Sequence, residues 1–450
     1  MNTNDKKIFI LGEEAIPKAL LKLSTPMILG MLINAIYNVV NALFVGGLGT
    51  SQMGAVSVAF PISMLVVGVG LTFGSGAGSY ISRLLGEGRH DQASRTASTA
   101  VLTSIVAGGC LIAVILGFLE PVLTFLGATD TIMPYATAYA TLYIGSSMLN
   151  VFNVTMNNIV ASEGAAKFSM IAMLLGAGLN IILDPIFIYG LNWGIRGAAI
   201  ATMVAQGTTT ILYLWYILSR KSFVKISFHN FSLDGEIYRQ ILKVGVPTFI
   251  FQILTSVSIG LTNTAASHYG DTAVASMGIV TRIYSIFSFV VFGFTKGFQP
   301  LAGYSYGAKK YDRLQDTIRI GIKWSSWFCG IGAFILIVFS RPIIALFSND
   351  PDVIRIGSQA LIANCSMFIF FGFQMVYITL FLAIGKAKEG AMLSMCRQGV
   401  FFIPTLLILP QFMGLNGVII SQAVADFLTV LLTVSFAWKM RKNVSGVVTG

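Results

Sequence analysis

Asp184 is a carboxylate set in an otherwise apolar run of membrane-spanning length, Gly178-Leu179-Asn180-Ile181-Ile182-Leu183-Asp184-Pro185-Ile186-Phe187. An ionised group at the centre of a bilayer costs at least about 2.5–3.5 kcal/mol, so an acid there points to a functional site. The chemistry open to it is exchange of a proton, coordination of a small cation, or attraction of a cationic ligand. Asn180 lies one helical turn earlier, on the same face. Pro185 has no N–H to donate and loosens the helix at that point, freeing a carbonyl. Removal from water favours the neutral form of a carboxylic acid. Proton exchange is therefore the first expectation. Na⁺ is the other, with asparagine oxygens and the freed carbonyl as further ligands. A single acid in this cluster is sparse for a cation cage.

Other polar residues interrupt apolar sequence at helical spacing. Asn34, Tyr37, Asn38 and Asn41 recur at i, i+3, i+4 and i+7 and make one stripe. Asn150, Asn153 and Asn157 do the same on a later stretch, and Thr202 and Gln206 on another. Asp184, Asn180, Asn34, Tyr37 and Asn38 form the expected cation-coupling set. Asn41, Asn153, Asn157, Met173, Thr202, Gln206, Phe371 and Gln374 form the expected lining for a bound compound, with Met and Phe as adaptable apolar contacts. The alternative use of the amides is hydrogen bonding between helices. Asp426 is a second acid in apolar sequence, suited to coupling or to a structural hydrogen bond. Glu163, beside Gly164, reads as a solvated turn. Arg282 and Lys296 are the cations assigned to the interior of spans. Arg282 reads as a buried structural cation. Lys296 reads as one that snorkels to water, binds an anion or balances a carboxylate.

Membrane helices must position these groups. Of the 450 residues 55% are hydrophobic and only 10% charged, whereas soluble domains carry about 25% charge. Most apolar blocks exceed the ~20 residues that cross a bilayer, and barrels lack such runs. Twelve spans are expected, at about 17–45, 54–82, 96–117, 132–159, 168–190, 195–219, 239–267, 274–302, 317–339, 353–383, 391–411 and 414–438. With the N-terminus inside, the inner loops and helix ends collect 24 of the 29 Lys and Arg, and the outer side only Arg196, Arg341 and Arg355. That bias places both termini in the cytoplasm of a multi-pass protein of the cell (inner) membrane. It also accounts for the net charge of +11 without nucleic acid as a partner.

The chain repeats itself. Shifted by 221 residues, Pro26 meets Pro247, Gly49 meets Gly270, Asp91 meets Asp312 and Lys167 meets Lys388; after one deletion Gly194 meets Gly414. Six spans per repeat is an even number, so the two halves insert alike and are related by an axis along the membrane normal. The expected fold is all-α, with twelve transmembrane helices in two six-helix lobes. The expected division is residues 1–221, a cytoplasmic linker at 222–238, and 239–450. The repeat is also a control. Asp184 meets Thr405, Asn180 meets Phe401, and Asn153 meets Gln374, so the scaffold itself does not require an acid at 184.

At this point the residues resemble a known family. Phe44-Val45-Gly46-Gly47-Leu48-Gly49, the stretch Gly74-Ser75-Gly76-Ala77-Gly78-Ser79-Tyr80, the Asn180–Pro185 segment and Gly297-Phe298-Gln299-Pro300-Leu301-Ala302-Gly303-Tyr304 are similar to motifs of the multidrug and toxic compound extrusion (MATE) family, closest to its bacterial multidrug branch. The resemblance implies alternating-access export of amphipathic or cationic drugs or metabolites, by antiport with protons or Na⁺, with an acid of the N-terminal lobe in coupling. No cofactor beyond the coupling ion is expected, the lipid bilayer is the expected surroundings, and a monomer is the expected working unit. The chain departs from relatives that carry an Arg before the glycine ending span four, since here Val160-Ala161-Ser162-Glu163-Gly164 stands. It also has only asparagines where some branches place an acid on span one. A lipid-linked saccharide flippase of related architecture is the alternative. It would need a strongly cationic cavity, and only Arg282 and Lys296 are assigned within the spans. An enzyme is not expected. Cys110, Cys329, Cys365 and Cys396 and the histidines His90, His229 and His268 form no nucleophile–base or metal-ligand spacing.

Overall fold

A computed structural model describes residues 3–126, 128–219 and 221–448, without the side chains of 3, 4, 50 and 441–448. Arg220 and the side chains of Arg441 and Lys442, counted above among the inner charges, lie outside the described residues. A short α1 (Thr3–Gly12) leads into α2 (Ile16–Gly46), α3 (Thr50–Gly86), α4 (His90–Gly117), α5 (Leu119–Phe125), α6 (Met133–Ser162), α7 (Ala166–Pro185) and α8 (Gly194–Leu218). The second half holds α9 (Gly235–Ser267), α10 (Asp271–Gly307), α11 (Tyr311–Val338), α12 (Ser340–Ala345), α13 (Pro351–Ser366), α14 (Phe368–Ala383), α15 (Ala387–Met395), α16 (Phe402–Met413) and α17 (Leu415–Val448). With α13–α14 as one bent crossing and α15–α16 as another, this is a twelve-span, two-lobe architecture. Among the described residues nine crossings are apolar enough on length and hydropathy alone, or ten with the α13–α14 pair, which bends by 46°. The other two, α6 and α8, are diluted by the same asparagines, threonines and glutamine that mark them as interior.

The repeat is visible in the backbone. Gly49 and Gly270 both have positive φ (125° and 93°), as do Gly164 and Gly385 (85° and 79°) and Gly194 and Gly414 (57° for Gly414, 54° for Gly194). These conformations favour glycine, so corresponding loops of the two lobes turn in the same way. The irregularities inside helices do not correspond. A π-turn at Ile186–Gly190 follows Asp184 in the first lobe, and another at Cys396–Val400 carries Arg397 in the second. Such turns concentrate at functional sites.

The two lobes meet through bare backbone. A Cβ on Gly76 would run into the Ile241 carbonyl, one on Gly245 into that of Thr72, one on Gly307 into that of Arg83, and one on Gly86 into that of Tyr304. Gly293 and Gly297 likewise receive Ile28 and Ser24. All these approaches fall on the halves of α2, α3, α9 and α10 nearest the chain termini, so the lobes are closed at that end. Gly76→Ala should prevent closure, since overpacking a close contact costs about 1–3 kcal/mol. Paired spin labels on Arg83 and Lys310 positions should then read a longer distance than in the parent, and transport should fall. An unchanged distance would refute the role of this contact.

The closed end carries a latch that differs from the expected solvated turn. Glu163 is 1% exposed. Its Oε1 meets Lys7 Nζ at 3.0 Å and the Tyr216 hydroxyl, while Oε2 accepts from the Ser222 hydroxyl at 3.1 Å and the Phe223 N–H at 2.6 Å. Lys7 also donates to Tyr216 and to the Lys221 carbonyl, each at 2.7 Å. Past this point the linker lies along α4. Lys225 N–H donates to Ser94 (3.0 Å), Ser227 N–H to Ser98 (3.2 Å) and Ser232 N–H to Thr99 (3.2 Å). From the second lobe, Arg313 donates to the carbonyls of Ile10, Leu11 and Glu14 and Lys310 to that of Gly12. Thus α1 ties the lobes together. Glu163→Ala leaves Lys7 buried without its counter-charge, a loss of about 3–5 kcal/mol for such pairs. Amide hydrogen exchange should accelerate in α1 and in residues 222–232 and stay slow in α3. Unchanged protection of α1 would refute the latch.

Candidate functional site

Asp184 is fully buried and Asn180 is 2% exposed. Both lie on α7, one turn apart, and α8 faces them with Thr202. With its amide oriented by these neighbours, Asn180 donates to Asp184 Oδ2 at 3.0 Å and accepts from the Thr202 backbone N–H at 3.0 Å. Asp184 Oδ1 has no partner. The polar stripe of α2 divides about its own axis. Tyr37 is turned inward, toward Thr202, Tyr143 and Asp184. Asn41 is partly buried, with a buried Oδ1 that has no partner. Asn34 and Asn38 are exposed and hydrogen-bonded to each other at 3.2 Å. Tyr139 and Tyr143 on α6, stacked at 5.4 Å, lie on the same side, with Tyr139 within electrostatic reach of Tyr37 and Asp184. Sequence reading did not single them out, although an i, i+4 tyrosine pair on a spanning helix was the available signal.

The remaining residues of the first lobe form a second layer. Asn153 donates to the Gln206 side chain and carbonyl at 2.8 and 2.9 Å and accepts from Thr210 at 2.9 Å. Asn157 donates to the Tyr213 hydroxyl at 3.0 Å. These bonds join α6 to α8. Met173 packs with its sulfur against Gly30 of α2.

Phe371 and Gln374 belong to a separate cluster in the second lobe. Arg397 and Asp426, with side chains 3% and 2% exposed, form an ion pair there. Nε lies 2.9 Å from Oδ1 with its N–H angled off the oxygen, and Nη2 lies 3.4 Å from Oδ2. Nη2 also donates to the Tyr284 hydroxyl at 2.9 Å, Gln422 donates to Asp426 Oδ1 at 3.0 Å, and Gln374 donates to the Asp426 carbonyl at 2.8 Å. The guanidinium carbon sits 4.5 Å from the centre of the Phe371 ring, which stacks on Phe368. Asp426, read from sequence as suited to coupling or to a structural hydrogen bond, is ion-paired with Arg397. Arg397, expected among the charges at inner helix ends, is a buried cation inside its span. Arg282 is exposed, contrary to expectation. In the repeat, Asp426 corresponds to Gln206 and Gln374 to Asn153, so one pair of positions holds a neutral amide network in the first lobe and a charged one in the second.

The arrangement thus leaves Asp184 Oδ1 buried without a hydrogen-bond partner, open to a proton or a cation. Among the described residues no group of three or more His, Cys, Asp or Glu could hold a metal ion.

A sequence profile of the family described as MatE matches residues 26–186 and 247–408, beginning in each half at the prolines that the repeat aligns. Multidrug export protein MepA of Staphylococcus haemolyticus (strain JCSC1435) is 28% identical over 442 residues, covering 98% of this chain and 97% of that protein. MepA of Staphylococcus aureus (strain MSSA476) is likewise 28% identical, covering 98% of each chain. The outward-facing conformation of a multidrug resistance MATE family transporter of the MOP superfamily superposes with a TM-score of 0.92 at 27% identity, over 99% of both chains. A MOP superfamily transporter from Pyrococcus furiosus Vc1 (DSM3638) gives 0.91 at 27% identity, over 98% of both.

Proposed function

Because the chain belongs to the MatE family, we propose that it exports amphipathic or cationic compounds across the cell membrane by antiport, with Asp184 as the coupling group and both termini in the cytoplasm. The observation that carries this reading is that, among the described residues, Asp184 is the one buried carboxylate without an ion-pair partner, and its Oδ1 has no hydrogen bond. Its repeat counterpart, Thr405, only bonds nearby carbonyls, those of Phe401 (2.9 Å), Phe402 (2.8 Å) and Ser421 (3.3 Å). Protons are favoured over Na⁺ by the Asn180 amide. Its oxygen is occupied by the Thr202 N–H and its nitrogen faces the carboxylate, so it offers a donor where a Na⁺ cage needs a ligand.

In this scheme the ionised Asp184 attracts a cationic compound to the first lobe. Protonation from outside removes that attraction and changes what Asn180 and Tyr37 can bond. The compound leaves outward, the lobes rock, and loss of the proton inward resets the site. Coupling requires that proton and compound each favour a different conformation, since equal affinity for both shifts nothing. That relatives are known as multidrug export proteins supports drugs as substrates. The test is uptake of a fluorescent cationic drug into vesicles carrying the protein. A pH gradient at constant Na⁺ should drive accumulation, and a Na⁺ gradient at constant pH should not. The reverse result would reassign the ion.

A further inference from the structure

Lys296 has no role in this scheme. It lies on α10, eleven residues before the helix ends at Gly307, or ~16 Å along the axis at 1.5 Å per residue. It is partly buried and makes no hydrogen bond or ion pair with any described residue. It lines a cavity of about 10 Å³ together with Ser75, Asn158, Ser162 and Gln299, close to the space that one water-sized particle needs. No carboxylate lines that cavity. The lysine ammonium is a donor only, and the Ser75 hydroxyl, the Gln299 amide and the second N–H of Asn158, whose first donates to Val154 O at 2.8 Å, can each donate as well; Ser162, whose hydroxyl is given to the Ile159 carbonyl at 2.7 Å, offers lone pairs only.

The repeat explains where this is. Lys296 is the counterpart of Ser75, and Gln299 the counterpart of Gly78, which also lines the cavity. The cavity therefore sits on the pseudo-two-fold axis, between α3 and α6 of one lobe and α10 of the other. One half supplies a serine and a glycine where the other supplies a cation and an amide, so the helical scaffold requires neither of the latter. An unpaired cation at membrane depth is costly, and this one is surrounded by neutral polar groups, with no carboxylate among them to balance its charge.

We infer that Lys296, Ser75, Asn158 and Gln299 form a site for a small monovalent anion that bridges the two lobes when they are closed at the terminal end. Chloride is one source of that charge, and the carboxylate of a transported compound is the other. Opening that end would part Lys296 and Gln299 from Ser75 and Asn158 and release the anion.

The test uses the full-length protein. Crystals grown in bromide should show an anomalous peak beside Lys296. Transport with the membrane potential clamped should slow several-fold when chloride is replaced by gluconate, and Lys296→Met should be insensitive to the exchange. If Lys296→Met does not fold, Ser75→Ala combined with Gln299→Leu should weaken the chloride dependence instead. Without a bromide peak, faster transport of a carboxylate-bearing compound than of its methyl ester, lost in Lys296→Met, would assign the site to the substrate's own carboxylate. No peak, no chloride dependence and no acid–ester discrimination would overturn the site.

Discussion

Asp184→Asn is expected to abolish accumulation of drug driven by a pH gradient, by about tenfold or more, while leaving the protein folded and able to equilibrate drug downhill. Asparagine keeps the size and can still pair with Asn180, so the packing of α7 against α8 survives. What it lacks is a second protonation state. A gradient does work on a transporter only through a group whose occupancy differs between conformations, and each decade of bias requires about 1.4 kcal/mol of differential binding. Asp184 is the only acid in its cluster, which joins Asn180, Thr202, Tyr37, Tyr139 and Tyr143, so no neighbouring carboxylate can replace it. Vesicles with an imposed gradient and a fluorescent cation measure both quantities. Undiminished uphill transport in the variant would remove Asp184 from coupling.

Arg397→Met is expected to destabilise the second lobe by about 3–5 kcal/mol, because it leaves Asp426 buried and unpaired. The double variant Arg397→Met with Asp426→Leu should recover most of that loss, since replacing a buried pair by apolar groups of similar volume is often neutral or stabilising. Thermal unfolding in detergent would show a large fall in Tm for the single change and a smaller one for the double. The comparison separates the pair's two contributions. If the double variant were as unstable as the single one, the guanidinium would matter through Tyr284 and the Phe371 ring rather than as the counter-charge of Asp426.

What could be read without coordinates was what depends on local composition and on register. Long apolar blocks must be helices in a bilayer because each backbone group has to be bonded within its own segment, and a constant offset between two halves needs no structure to be seen. Asp184 stood out for the same reason: the cost of a charge depends on its apolar surroundings in sequence, which already fix its depth. Tertiary structure decided everything that depends on which way a side chain turns or what reaches it from far away. Glu163 resembled a solvated turn because its partners, Lys7, Tyr216 and Ser222, come from distant segments. Arg397 resembled a helix-end charge until a π-turn and Asp426 placed it inside. The α2 stripe was legible as a stripe, but only packing turned Tyr37 toward Asp184 and left Asn34 and Asn38 exposed. Helical period sets which residues share a face. Contact with the neighbouring helices decides which part of that face is buried, and so which of its polar groups can take part in coupling.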